Sequence, residues 1–447
     1  TPKPSSAASD VYKRQIKDMA QVAITDSKVS DSETSGIYVC GSAWVNLSNT
    51  TISGNGRHGL EAKETAEVML QQCTIANNGI TGLYTADETR VTLQNCTVSG
   101  NEGGLRVEEL AQVSLGNATI SENKGEGLSV DESAQVTLES CRVNGNGRSG
   151  LLVTRSRLVS VPSVTVSITG GEISGNGEDG IQLPMIRARV ELSGEVSIHD
   201  NCGCGIYVDD ERAQVVGSPV AMWGNGIPLC GFVSASIRKP LAPQTQRTEV
   251  SVPGDYPTIQ EAIDAIASGG TINLGEGTFH EGFTIWKSVT IRGAGPDRTI
   301  LAAPSGAPGV VTVLPEAREV EIADLTITGV KHTSWHAVGM DILGDVELVN
   351  VRVVGNEVPG VLAYRPARLT LRGCEISGNW GSGLLLWDQA QLETIEDCWI
   401  SDNAGCGISI PEAGELRGWN NWVKYNYHDF CGCSPPEGFL RESPPRP

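Results

Sequence analysis

The stretch DNCGCGIYVDDERAQV, residues 200–215, sets two thiols, Cys202 and Cys204, one glycine apart. Such a pair can ligate a soft metal, attack a substrate as thiolate, or close a disulfide. His332 and His336, in VKHTSWHAVGMD, share an irregular loop beside Trp335 where general acid–base chemistry is conceivable. The alternative for this pair is a solvated surface loop. Carboxylates recur five residues after a glycine at Glu64, Asp87, Glu109, Glu132 and Asp210, then at Asp388 and Glu412. Stacked carboxylates could hold calcium, whereas a solvated acidic edge, interrupted by Arg155 and Arg365, is the plainer expectation. Trp399 and Trp422 each precede an asparagine by four residues, with Glu375 and Arg352 at the matching places upstream. Outward indoles flanked by charge would stack on sugar C–H faces and bind hydroxyls or carboxylates. The competing reading packs the pair under the C-terminal SPPEGFLRESPPRP.

Composition narrows the partners. The chain has 447 residues, 53 of them glycine, with 5% aromatics. Its 33 basic and 53 acidic side chains give a net charge of −20. A surface of that sign repels phosphate backbones, so no nucleic-acid partner is expected. No apolar run reaches the ~18–20 residues of a membrane helix, so no membrane span is expected. The first fifteen residues, TPKPSSAASDVYKRQ, share nothing with the remainder of the chain and look like translated adaptor sequence. From Ile16, IKDMAQVAIT is already in frame with the later VDESAQVTLE, so upstream coils and a signal peptide are expected to be missing.

Self-similarity dominates from that point on. TISGNGRHGL, TIANNGITGL, TVSGNEGGL, TISENKGEGL and EISGNGEDGI share one frame, marked by Asn55, Asn78, Asn101, Asn123, Asn146, Asn176, Asn201 and Asn225. A second series runs Asn356, Asn379, Asn403, Asn426. A repeat of about 23 residues with glycine turns indicates a solenoid. Each unit holds three short alternating segments, such as Val136–Leu138, Cys141–Val143 and Leu151–Val153. Three strands per coil predict a right-handed parallel β-helix with coils about 4.8 Å apart. The recurring asparagines are expected to form a hydrogen-bonded ladder rather than a ligand set. Cys73, Cys96, Cys141, Cys374 and Cys398 fall on the inward phase as small core residues.

The run RKPLAPQTQRT breaks the repeat and reads as a linker, residues 238–249. After it, Ile259, Ala262, Ile263 and Ile266 fall at helical spacing behind a Thr258–Glu261 capping box. The expected organisation is therefore all-β: a truncated β-helix over 16–237, the linker, a second β-helix over 250–434 opened by a capping helix, and a Pro-rich tail, 435–447. The TIQEAIDA helix, GTFHEGFTI, KSVTIRGAG and the NxGxGI coils resemble pectin-lyase-like β-helix proteins, particularly the copper-site maturation proteins of nitrous-oxide reductase clusters. That resemblance implies the fold and leaves activity open, because the superfamily holds lyases, hydrolases, esterases, epimerases and non-enzymes.

The repeat frame also places the cysteines. VAMWGNGIPLCGFV aligns without gaps on NWVKYNYHDFCGCS, setting Cys204 with Cys230 and Cys406 with Cys431, each pair one coil apart. A coil rise lies within reach of a disulfide, so end clamps are expected ahead of free thiols or a metal. Clamps favour an extracellular, periplasmic or cell-surface location. The pectin esterase signatures, the epimerase-type DPHD and the polygalacturonase NTD…DD…GHG order are all missing. The expected function is a non-catalytic scaffold or carbohydrate-recognition protein whose partner is a polysaccharide or cell-surface glycan, with no cofactor beyond the calcium option. The alternative is a polysaccharide lyase, glycoside hydrolase or epimerase.

Overall fold

The computed structural model describes residues 14–154, 164–184, 188–331, 336–410 and 416–441. His332, Trp335, Arg155 and Glu412 lie outside them. The chain divides into two compact units, Thr1–Asn201 with Val208–Val220, and Cys202–Tyr207 with Ala221–Pro447.

In the first unit the earlier coils supply three short strands each, paired in parallel with their equivalents one coil on, and in Gln135–Asn144, Val164–Ser174 and Ala188–His199 two of the three segments run together as one strand. Arg90–Gln94, Thr97–Ser99 and Gly103–Val107 form one such coil. Val91 pairs Val113, Val98 pairs Ile120 and Leu105 pairs Leu128. All six side chains are buried, because alternation sends every second residue into the tube. Burying one such side chain contributes roughly 1.5–3 kcal/mol, repeated at every coil. The architecture is the expected all-β parallel solenoid.

Tight corners join the strands, and the residues there adopt left-handed backbone. Glu64, Asp87, Glu109 and Glu132 have φ of 59–61°. Asn49, Gln72, Asn95 and Asn117 hold a second such corner at φ of 48–54°. At the third corner the asparagines form the expected ladder. Asn101 accepts from the Asn78 backbone N–H and side-chain amide, each at 2.9 Å, and donates to the Asn123 carbonyl oxygen at 3.0 Å. The series continues through Asn146 and Asn176 to Asn201. The ladder explains its own glycines. A Cβ on Gly82 would sit 2.8 Å from the Asn101 amide nitrogen one coil on, closer than real contacts allow.

The inward cysteines are core residues with a second task. Cys73, Cys96 and Cys141 are buried, and the Cys96 sulfur accepts the Cys73 backbone N–H at 3.4 Å. They are a weaker thiol version of the asparagine ladder at a different corner.

In the second unit a seven-stranded parallel sheet runs from Phe283–Ile285 to His428–Cys431. Its asparagines Asn356, Asn379, Asn403 and Asn426 repeat the ladder. Helix α1, Ile259–Ala265, starts where the capping box placed it, with Thr258 accepting the Glu261 N–H at 3.2 Å. Its Ile259, Ala262 and Ile263, with Ile266 just beyond, are buried in the core of the second unit. The Thr284 hydroxyl accepts the Leu229 N–H and donates to the Leu229 carbonyl, so the strand Ile227–Gly231 already covers Phe283–Ile285. The helix packs beside this edge, where Gln260 bonds the Thr284 backbone on both sides.

The segment 238–249 is tied down at several points. Arg238 and Asp264 form an ion pair with side chains 3% and 0% exposed. Asp264 also accepts the Leu241 N–H at 2.8 Å, and the Thr245 N–H donates to the Ala265 carbonyl. At the far end Phe439 is buried, and Leu440 adds a parallel bridge to Asn421. Among the described residues no helix is long and apolar enough to cross a membrane.

Candidate functional site

A polar groove of about 730 Å³ opens on one face of the first unit. Its floor is an outward column of residues, each two positions after a coil glycine. Register aligns Tyr38, Glu61, Tyr84, Arg106, Ser129, Leu152 and Gln182 across successive strands. Large side chains fill this column up to Arg106. Ser129 comes next, and its small side chain, beside Gly103 and Gly125, leaves the depression.

Ion pairs stiffen the walls. Arg106 Nε donates to Glu108 at 2.6 Å, and Arg106 Nη2 lies 3.8 Å from Asp131. Lys124 pairs with Glu102 at 3.0 Å, and Arg148 bridges Glu126 at 2.8 Å and Glu178 at 3.3 Å. Behind the Arg106 end, the Tyr84 hydroxyl donates to Glu108 at 2.7 Å. The Tyr84 ring stacks on His58 at 5.0 Å, and Lys63 Nζ lies 5.4 Å from its centroid. Lys63 in turn reaches Glu61, which accepts the Ser35 hydroxyl at 2.7 Å.

Protonation is set by these contacts. Burial, then the Glu108 carboxylate, raises the Tyr84 phenol well above its ordinary range, so it remains a proton donor. Burial lowers His58 to about 4, so its ring is neutral at pH 7. Burial and the neighbouring Asp87 raise the Glu109 carboxyl. Tyr84 and His58 are thus held in fixed protonation states near neutrality, which suits holding a ligand better than exchanging protons with it.

The carboxylate column has a structural task. Glu64 accepts the Gly41 N–H at 3.0 Å, Asp87 accepts the Glu64 N–H at 2.8 Å, and Glu109 accepts the Asp87 N–H at 3.1 Å. Each acid thereby satisfies the left-handed corner of the coil before it. Asp210 is instead paired with Arg212, and Asp388 lies 3.8 Å from Arg365.

The other sequence candidates lie in the second unit. Arg352, Glu375, Trp399 and Trp422 do form one column, in register across four coils. The two indoles stack on each other at 5.5 Å and 18°, so their facing surfaces are spent on one another rather than offered side by side. Trp399 Nε1 donates to Ser401 at 2.7 Å. Arg352 is neutralised between Glu375 and Asp297. The tail runs over Asn421, just ahead of Trp422, with the Arg441 N–H on the Asn421 carbonyl at 2.8 Å.

His336 is half-buried, its ring stacked on Tyr207 at 3.9 Å, and burial lowers it to about 4. It is a packed neutral ring rather than a solvated loop group. The cysteines resolve as disulfides Cys204–Cys230 and Cys406–Cys431, with Cα atoms 6.1 and 6.0 Å apart. They do not run straight up a column, however. Register sets Cys406 opposite His428 and Cys431 opposite Ser409, so the bond crosses the coils diagonally. Cys202 and Cys433 are free.

Of the sequence candidates, which are repeated residue types or paired side chains, Glu109 and Glu132 line the groove, whereas its floor residues Arg106, Ser129 and Leu152 were not among them. The groove comes from the opposite signal, a change of type from Arg106 to Ser129 within one column.

Comparison with known proteins bears on the fold. The family described as right handed beta helix region matches residues 15–161, 111–225 and 313–434, together well over half of the chain. The chain belongs to that family. No curated protein matches this β-helix protein. Two solved structures of the PL6 family alginate lyase AlyGC are similar at 8% identity, one of them a point mutant, with TM-scores of 0.27 and 0.26. Each alignment covers 91% of the β-helix protein and 86% of the lyase.

Proposed function

We propose that this β-helix protein is a non-catalytic glycan-recognition protein of an oxidising, extracytoplasmic compartment, and that the first-unit groove holds the glycan. The observation that carries this reading is the groove itself, open along successive coils and walled by preorganised, ion-paired side chains. Polar side chains fixed by their own partners lose little freedom when a polyhydroxylated chain arrives. Leu152 on the floor supplies an apolar patch for sugar C–H surfaces, and Ser129 a hydroxyl among them. The disulfides support the compartment.

A second reading, a polysaccharide lyase, glycoside hydrolase or epimerase, draws on Glu109, a groove carboxyl held toward its protonated form. Mass-spectrometric product analysis on neutral, acidic and amino polysaccharides separates the two. Intact substrates together with measurable binding support recognition. New oligosaccharides whose formation stops in Glu109→Gln establish the enzyme instead.

A further inference from the structure

The groove's charges select among glycans, and this step rests on the glycan-recognition reading. Six carboxylates and three cationic side chains line it. Every cation has its own acid at hydrogen-bonding distance: Arg106 with Glu108, Lys124 with Glu102, Arg148 with Glu126. Asp131, Glu109 and Glu132 are the acids in excess of those three pairs, along one wall. Of these, Asp131 adds a second carboxylate to Arg106, at 3.8 Å. Glu109 and Glu132 occupy the same corner of consecutive coils, at φ of 59° and 60°, so their backbone positions follow the coil rise.

A uronate chain would bring further carboxylates against this wall and would have to break an existing ion pair to find a cation. A chain bearing protonated amines meets twice as many acids as cations, at a spacing set by the coils. The net charge of −20 over the whole chain acts in the same direction. We propose that the groove binds an amino-bearing glycan, a deacetylated hexosamine oligomer, in preference to neutral and above all to uronate chains. Ser129 is the residue that makes room for it, and Asp131 with Glu132 sets the charge preference.

The test titrates the full chain, at low salt and at a pH where the amines are protonated, with three hexamers: glucosamine, N-acetylglucosamine and galacturonate. The glucosamine hexamer is expected to bind about tenfold or more tighter than the N-acetylated one, with the preference shrinking as salt rises. No galacturonate binding is expected. Ser129→Tyr fills the floor with the residue the same column already carries at Tyr84, so the coil tolerates it. That variant should abolish binding. The pair Asp131→Asn and Glu132→Gln should bring glucosamine affinity down to the N-acetylated level. Galacturonate binding equal to or tighter than glucosamine overturns the charge preference and leaves glycan recognition standing. Glucosamine binding unchanged in Ser129→Tyr removes the ligand from the groove. Failure of all three hexamers to bind removes the glycan-recognition reading itself.

Discussion

Cys204 and Cys230 are covalently joined across neighbouring strands of the second unit, their Cα atoms 6.1 Å apart and both side chains buried beside Tyr207 and Ile227. Cys406 and Cys431 repeat the arrangement at the end of the chain.

Thiol counting checks this directly. Of 12 cysteines, eight are free and four are bonded. In denaturant, thiol titration should give eight before reduction and twelve after it. Each closed loop of about 26 residues contributes ~3 kcal/mol in the chain-entropy account, so Cys204→Ala with Cys230→Ala should lower stability by about that amount. Equal titres before and after reduction would dismiss the clamps.

Asn101 is the second test. Its amide serves both coils and also donates to the Ile75 carbonyl at 3.2 Å. Asn101→Ala strands the buried Asn78 N–H and should cost roughly 2–4 kcal/mol. Chemical denaturation of the variant reads this, and a loss under half a kilocalorie would show the ladder to be ornamental.

The Arg238–Asp264 pair gives an asymmetric prediction. Asp264→Ala leaves a buried guanidinium without its partner and should cost about 3–5 kcal/mol. Replacing both residues, as Arg238→Met with Asp264→Leu, should recover the part of that loss due to the stranded charge, while the Leu241 N–H and the Gln260 amide still lack their acceptor. If the double variant is as unstable as the single one, packing rather than charge governs this corner.

Stability should fall on the acid side. His58 is buried and His336 half-buried, and burial lowers both from 6.5 to about 4, so both are neutral at pH 7. The unfolded chain therefore takes up protons first, and stability present above pH 6.5 is lost as pH falls toward 4. Screening reduces the His58 share to roughly 1–3 kcal/mol. His58→Gln should flatten the urea midpoint between pH 7 and pH 4.5, and an unchanged slope would mean that the ring is hydrated.

For the tryptophan stack, packing is the expected role. Trp399→Ala removes the face on which the half-buried Trp422 rests and should cost about 1–3 kcal/mol. Glucosamine affinity should be unaffected in the variant that still folds. Loss of affinity with stability unchanged would return the stack to the candidate sugar sites.

The coil period, the three-strand coil, the asparagine ladder and the Thr258 helix start were all legible in the sequence. One physical constraint repeats at every coil: an inward residue must be apolar, and a buried corner must find a hydrogen-bonding amide. Local alternation records both. The pairing partners of Cys204 and Cys406 were legible too, although their diagonal register was not. Outward positions carry no such periodic demand. Arg106, Ser129 and Leu152 lie about one coil apart in sequence, and only stacking makes them neighbours on one floor. The tertiary structure likewise decided that Trp399 and Trp422 face each other, that His336 is packed against Tyr207, and that residues 238–249 are pinned to α1 by a buried ion pair. Each of these depends on how side chains of different coils fill shared space, which no single coil encodes.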